Sequence, residues 1–277
     1  MLSYQHGYHA GGFADVHKHA ALCLLLGHLK RKPAPFCVID AHAGRGVYDL
    51  TGVQAGRTGE WQAGIARLVA AGPDAGALRP YLDVVAGFNG DGGLTAYPGS
   101  PAIAARLMRD ADRLVLIEAH PAEHAALRGA FRGDRRVHVH KRDSFEALPA
   151  LVPPPERRGL VLIDPSYEIK TEYASVPALA ETVLRRWPAG IVAVWYPLLP
   201  DDRHAALVAA LEASGRPVLF AELTGPDRAQ GLRGTGLAVI NPPWRFDENL
   251  TAAGAEIARC LFGAAGRHAL RAAGAAS

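Results

Sequence analysis

Short apolar runs alternate with amphipathic stretches along most of the chain. Residues 36–40, 114–118, 160–164, 191–195 and 218–221 are near-continuous runs of Val, Ile, Leu, Phe and Ala, and 137–140 alternates Val with His. These six segments predict short strands. Between them, 101–108 and 121–131 carry apolar residues at helical spacing. Strand, helix, strand in repetition predicts an α/β, doubly wound, mostly parallel sheet whose ligands sit at the carboxyl ends of the strands. Residues 237–241 fold back on 218–223 as a terminal hairpin, so the last strand is expected to run antiparallel.

Two regions depart from the alternation. Residues 50–100 read as a small helical insertion subdomain, with helices at 59–71 and 78–88 between Gly- and Pro-rich joints. Residues 1–32 read as an N-terminal arm and helix: Asp15 is expected to cap a helix from 16 to about 30, whose Lys30-Arg31-Lys32 end suits the negative pole of the helix dipole. An Ala- and Gly-rich tail after Gly263 is expected to fray. One domain over residues 1–277 is expected for this length.

Composition narrows the class. A chain of 277 residues, 49% hydrophobic and 21% charged, buries a substantial core. Cys23, Cys37 and Cys260 are odd in number and far apart, which predicts neither disulfides nor a clustered zinc site. With no signal-like start and no apolar run near the roughly 20 residues of a membrane span, a cytoplasmic protein without a membrane partner is expected. The net charge of +3 is small, but Lys30-Arg31-Lys32, Arg132/Arg135/Arg136 with Lys141-Arg142, Arg157-Arg158 and Arg185-Arg186 are local basic clusters of the kind that meet phosphates. Arg, Ala and Gly are high together, so biased genomic composition explains the arginines equally well.

Acidic residues recur at the strand ends, and that recurrence is the first chemical clue. In Val38-Ile39-Asp40-Ala41-His42-Ala43-Gly44-Arg45-Gly46, a strand ending in acid runs into a Gly-x-Gly turn that lets backbone approach a ligand. Asp49 stands where the third glycine of a dinucleotide fingerprint belongs, and no P-loop lysine follows. Glu118 ends the second strand, where an acid takes ribose hydroxyls, and Asp143 follows the third, where an acid accepts from an adenine amine; each is also a plausible cap or surface charge. Leu162-Ile163-Asp164-Pro165-Ser166-Tyr167 resembles the Asp/Asn-Pro-Pro-aromatic signature of amino-group methyltransferases. An adenine N6 amine is a poor nucleophile, and an acceptor pair, the Asp164 carboxylate and the Pro165 carbonyl, holds both its hydrogens and aims the lone pair. Tyr167 then stacks on the extruded base. Ser166 replaces the second proline and is expected to leave the loop freer. Asn241-Pro242-Pro243-Trp244 matches the written signature better, but an antiparallel strand delivers it to the opposite edge of the sheet, so it is given a structural role.

Met1-Leu2-Ser3-Tyr4, His6, His9-Ala10-Gly11, Ala14-Asp15-Val16, Lys18-His19, Asp40 to Gly44, Arg57-Thr58-Gly59-Glu60, Tyr97 to Pro101, Arg158-Gly159-Leu160 and Trp195-Tyr196-Pro197 together resemble the RlmJ family of 23S ribosomal RNA adenine-N6 methyltransferases over nearly the whole chain. The resemblance implies a class I S-adenosylmethionine-dependent methyltransferase (Rossmann-like) fold acting on 23S rRNA free of ribosomal proteins. It implies S-adenosyl-L-methionine held by His19, His42, Ser100, Glu118, Asp143 and Asp164, with Asp164 the catalytic acceptor and Tyr4 close to the RNA; Ser144 joins the cofactor-binding candidates and Tyr167 the catalytic ones. Tyr4, His6 and Lys18 are placed with the substrate, Tyr4 and His6 as a mobile arm over the base, while Lys18 and His19 face the charged groups of the ligand. No metal site is expected, since His17 and His19 diverge by about 200° on a helix. A monomer is expected. The alternatives are a DNA adenine-N6 methyltransferase and a non-catalytic rRNA-binding protein.

Overall fold

The computed structural model describes residues 5–73, 76–90, 92–226 and 231–274, so Tyr4 lies outside the described residues. Eight strands form the central sheet: β1 (Cys37–Asp40), β4 (Arg113–Ile117), β5 (Val137–His140), β6 (Gly159–Ile163), β7 (Ile191–Leu198), β8 (Val218–Thr224), β9 (Gly234–Ile240) and β10 (Arg267–Ala273). Their order is β10-β8-β9-β7-β6-β1-β4-β5. β1, β4, β5, β6 and β7 run parallel, while β9 enters antiparallel between β7 and β8. This is the α/β, mostly parallel, doubly wound sheet that the strand pattern predicts, with β9 antiparallel.

Period-two alternation sorts the strand residues onto two cores. Val38, Leu114, Leu116, Leu160, Leu162, Leu237 and Val239 face one layer, with α1 (Phe13–Leu29), α5 (Ser100–Leu107), α6 (Pro121–Ala130) and α10 (Phe246–Phe262). Ile39, Val115, Ile117, Val161, Ile163, Val192 and Val194 face the other, with α7 (Ser144–Leu151), α8 (Glu172–Arg186) and α9 (His204–Glu212). Strands covered on both faces read as continuous apolar runs, which is why they were legible. All three cysteines are free and buried. Among the described residues no helix is long and apolar enough to cross a membrane.

Three expectations are corrected. The tail after Gly263 does not fray: β10 pairs with β8 along its whole length, from Arg267↔Thr224 to Ala273↔Val218. Its alanines carry little strand propensity, and the open edge of β8 supplies the order, with the Arg271 guanidinium 4.6 Å from the Phe220 ring centre. Asp15 is not the cap of α1. Gly12 occupies that position, and Asp15 lies buried in the first turn, accepting from the Gly11 N–H at 3.0 Å. The expected helix over 59–71 is broken into a π-helical turn (Gln62–Ala66) and α3 (Arg67–Ala71), with α2 (Val53–Thr58) before it and α4 (Arg79–Gly87) after it. The break is at Gly64, where a Cβ would sit 2.1 Å from the Gly11 carbonyl oxygen. This close approach lets the Ile65 N–H donate to Gly11 O at 2.8 Å and clamps the 50–100 region onto the start of α1. A two-stranded pair, β2 (Val47–Asp49) with β3 (Ala96–Pro98), closes that region and was not foreseen, each strand being three residues long.

Behind the sheet, His17 of α1 meets His268 of β10 with Nε2 to Nε2 at 3.3 Å. Burial, then the His268 neighbour, pushes His17 down to about 3, and burial pushes His268 to about 4. Both imidazoles titrate lower in the fold than in an unfolded chain, so their contribution to stability is complete above the ordinary imidazole range and is lost as pH falls toward 4. His17→Phe should therefore reduce the slope of unfolding free energy against pH, by up to about 1.4 kcal/mol per unit between about pH 6 and 4. Urea titrations across that range check it; an unchanged slope contradicts the pairing.

Candidate active site

The carboxyl ends of β1, β4, β6 and β7 open into a cleft of about 800 Å³, within the size range of small-molecule sites. Its floor is the turn after β1. Gly44 (φ +59) and Gly46 (φ +88) take backbone angles that side chains resist, and a Cβ on Gly44 would meet the Tyr48 hydroxyl at 2.2 Å. The turn is tied to β4 through Glu118, whose carboxylate accepts from the Gly44 N–H at 2.8 Å and the His120 N–H at 2.6 Å. Burial nevertheless raises its pKa. Below the turn, Asp40 is buried, its Oδ1 accepts from the His42 N–H at 3.2 Å and its Oδ2 has no hydrogen-bond partner. Burial pushes it up to about 6 against the opposing pull of Ser100 and the His42 N–H.

His42 joins three strand ends. The Asp164 N–H donates to His42 Nδ1 at 3.2 Å, so Nε2 carries the proton and donates to Ser144 Oγ at 2.8 Å. Burial pushes its pKa to about 3, which keeps this neutral tautomer. Ser144 opens α7, and Asp143 before it caps that helix by accepting from the Phe145 N–H at 2.7 Å, its cap role and its place on the cleft wall being compatible.

At the centre, the Lys18 ammonium lies 2.9 Å from Asp15 Oδ1 and 2.5 Å from Asp164 Oδ2. Lys18 is 4% exposed, Asp15 2% and Asp164 14%. Burial works against the charge on Lys18, but Asp15 and Asp164 outweigh it and raise its pKa, so it stays an ammonium. Burial likewise opposes ionisation of Asp15, and the charges of His6, Lys18 and His19 overcome it and hold its pKa well below the usual carboxylate range. Asp164 moves the other way: burial raises it, with Lys18 pulling against. His6 Nε2 closes the chain at 2.8 Å from Asp15 Oδ2. Among the described residues, Asp164 Oδ1 has no hydrogen-bond partner and remains open to the cleft.

All the candidate residues among those described line this one cleft: His6, Lys18, His19, His42, Ser100, Glu118, Asp143, Ser144, Asp164 and Tyr167. Several stand in unforeseen ways. Lys18 is committed to the two carboxylates rather than open to a ligand's charge. His19 Nδ1 pairs with the Tyr97 hydroxyl at 2.8 Å, which meets Tyr81 at 3.0 Å, while its Nε2 has no hydrogen-bond partner. Tyr167, at φ +55, is 6% exposed; its hydroxyl donates to the Trp195 carbonyl at 2.7 Å and its ring packs on Tyr173 and Trp195, so it also fills core. The Ser166 hydroxyl accepts a long bond, 3.4 Å, from the Glu168 N–H, a side-chain turn where the signature has a second ring. Asn241 lies at the opposite edge, its amide donating to the Pro188 and Gly190 carbonyls at 2.9 Å before β7. No group of three metal-ligating side chains occurs among the described residues.

Residues 33–271 match the family model described as Ribosomal RNA large subunit methyltransferase D, RlmJ. The chain belongs to this family. It is 44% identical over 253 residues to a protein of Escherichia coli named Ribosomal RNA large subunit methyltransferase J, with 90% of each chain covered. A Haemophilus influenzae protein of the same name is 41% identical over 254 residues, again with 90% of each covered. A crystal structure of a protein from Legionella pneumophila str. Philadelphia 1 superposes with a TM-score of 0.89 at 32% identity, covering 96% of this chain and 98% of that one.

Within this methyltransferase family fold, the residue that sequence reasoning misplaced is Asp15, taken for a cap because an acid before a helical pattern is the commonest cap signal. The alternative signal was the Asp15-x-x-Lys18 spacing, which puts both on one helix face. Trp195, at the carboxyl half of β7 with Lys18 5.9 Å from its ring centre, was read as plain core strand. Lys18→Met removes the cation between two buried carboxylates and should cost about 3–5 kcal/mol of stability, as breaking a buried pair does. Denaturant unfolding checks it; a loss below about 1 kcal/mol, the scale of a surface pair, contradicts the burial argument.

Proposed function

We propose that the protein transfers a methyl group from S-adenosyl-L-methionine to the N6 amine of an adenine in 23S ribosomal RNA. The observation that carries this reading is the Asp164 carboxylate, one oxygen held by Lys18 and the other free, at a strand end in the same cleft as a glycine turn and Glu118. The names of the relatives supply the rRNA substrate class.

The residues present suit the cofactor. Glu118, with its oxygens oriented by two backbone N–H groups, is set to accept from ribose hydroxyls. Asp143 and Ser144 would hold its adenine, and His19, Ser100 and Asp40, with the unpartnered His19 Nε2 and Asp40 Oδ2 among their buried polar atoms, would hold its amino-acid part. When bound, S-adenosyl-L-methionine supplies an electrophilic methyl on a sulfonium. Asp164 Oδ1 and the Pro165 carbonyl accept the two amine hydrogens and direct the nitrogen lone pair. Lys18 fixes the carboxylate rotamer and keeps its charge, and His42, bonded to the Asp164 backbone, fixes the loop. The proton that the methylated amine sheds passes to Asp164, whose pKa burial has raised. Tyr167 and Trp195 form the aromatic wall for the extruded base, and His6 lies at the edge of the same cleft.

With deproteinised 23S rRNA and labelled cofactor, Asp164→Ala should lose on the order of 100-fold or more in turnover, the scale of removing one transition-state hydrogen-bond partner. Asn241→Gly, which keeps the left-handed backbone at the rival motif, should retain turnover in folded protein. The reverse pattern moves the acceptor to Asn241. Methyl transfer to duplex DNA but not to rRNA favours the DNA enzyme, and absence of transfer to either favours a binding protein. Ser166→Pro should keep or modestly raise turnover on the same RNA; a large loss would mean that the Ser166 hydroxyl or N–H makes a required bond.

A further inference from the structure

The edge of the sheet opposite the cleft is where the chain's positive charge exceeds its negative charge most. Every parallel strand begins there, in a connection arriving from the preceding helix, and the antiparallel β9 ends there. The connections at 30–36, 108–113, 131–136, 152–158, 185–190, 213–217 and 241–245 hold fourteen of the 30 lysines and arginines and four of the 27 aspartates and glutamates. This edge is therefore +10 in a chain of net +3, and the rest of the molecule, active cleft included, is net negative. The helix dipole accounts for Lys30, Arg185 and Arg186 at the ends of α1 and α8, but not for Arg135, Arg157 or Arg245, which lie beyond helix ends.

Not all of this charge is free. Arg109, Arg113, Arg136 and Arg245 are paired with Asp112, Glu156, Asp134 and Glu248. Lys30, Arg31, Arg135, Arg157 and Arg185 are exposed and have no carboxylate partner among the described residues. They precede β5, β1, β6 and β7, with the paired Arg109 and Arg113 before β4 between them, and so mark out a stripe of about 20 Å at roughly 4.8 Å per strand. Beyond β7 the stripe meets Trp244, 81% exposed, at the end of β9. Unpaired guanidiniums in a row beside an open indole are the parts of a nucleic-acid surface: charge for phosphates and a face for base stacking. An acidic protein partner fits the charge but leaves the indole without a reason to be open.

We infer that the amino-terminal edge of the sheet is a second RNA-binding surface, separate from the catalytic cleft. The inference rests on the rRNA reading above. The strands between the two edges are about 16 Å long, so the RNA held here is another segment of the folded substrate, not the one that delivers the adenine. The net negative remainder of the molecule explains the need: a polyanion approaching the cleft gains no general attraction from the protein around it, and the far edge supplies it.

The test is binding of deproteinised 23S rRNA to the full chain, measured across salt concentrations. It compares wild type with Arg135→Glu/Arg157→Glu/Arg185→Glu, with the charge-keeping Lys replacements at the same positions, and with Trp244→Ala. All four positions are exposed, and circular dichroism together with affinity for S-adenosylhomocysteine checks that each variant is folded. The glutamate variant should bind at least about 10-fold more weakly, with a salt slope shallower by about two to three, one for each phosphate that is no longer neutralised. The lysine variant should keep the slope, and Trp244→Ala should weaken binding with the slope kept. Equal affinity and slope in wild type and the glutamate variant overturn the inference. Loss of sedimentation with phosphatidylglycerol vesicles, with RNA binding intact, would also overturn it and assign the edge to a lipid surface. A wild type that binds no rRNA at all removes the rRNA reading itself, whereas one that binds but does not methylate leaves this surface standing.

Discussion

The constraint on which the site depends is that the Lys18 ammonium is buried and must be paired. A cation at 4% exposure is tolerable only with carboxylates in contact, and the fold supplies two from separate places: Asp15 one turn earlier on α1, and Asp164 at the end of β6. To satisfy Lys18, the start of α1 must lie over the carboxyl end of β6, which fixes one wall of the cleft. Asp15 in turn needs His6 and the Gly11 N–H, so the N-terminal arm is drawn into the same network. Glu60 then holds His9 at 2.9 Å and Gly64 packs on Gly11, so the 50–100 region is joined to that arm as well. Such a cluster adds little net stability relative to an apolar core. What it adds here is a single placement for Asp164, with one oxygen occupied and one left to the cleft.

Much of this was legible in the sequence for physical reasons that can be named. Strands buried on both faces, such as Leu160 to Ile163, are continuous apolar runs bounded by glycine and acid, and no competing local structure suits them. The opposite fates of Asp164 and Asn241 followed from strand direction alone, and the structure puts them at opposite edges. What was not legible depended on distant partners. Arg267–Ala273 becomes a strand because β8 has an open edge, not because of its alanines. Asp15 is a hub because Lys18 and His6 reach it, a fact no one-dimensional pattern carries. Tyr167 was expected to be chiefly a stacking face, and its hydroxyl bond to Trp195 makes it core as well.

Charge is divided between the two edges of the sheet in a way that matches the two tasks an RNA-modifying protein faces. The cleft edge spends its acids on orientation: Glu118 and Asp143 accept backbone N–H groups, and Asp164 accepts from Lys18. The amino edge holds the unpaired arginines, where affinity for phosphate does not interfere with the geometry of an amine. Local rules such as helix capping and dipole pairing explain part of that distribution, and the exposed Trp244 among the arginines is the part they leave over.

Identification of the modified nucleoside most directly tests the central claim, that a carboxylate fixed by Lys18 holds an adenine amine for methylation. Deproteinised 23S rRNA incubated with the protein and S-adenosyl-L-methionine, digested to nucleosides and resolved by mass spectrometry, should gain N6-methyladenosine with wild type and not with Asp164→Ala. Methylation appearing on a ring nitrogen, a ribose or a pyrimidine carbon, or N6-methyladenosine formed equally by Asp164→Ala, would contradict the account.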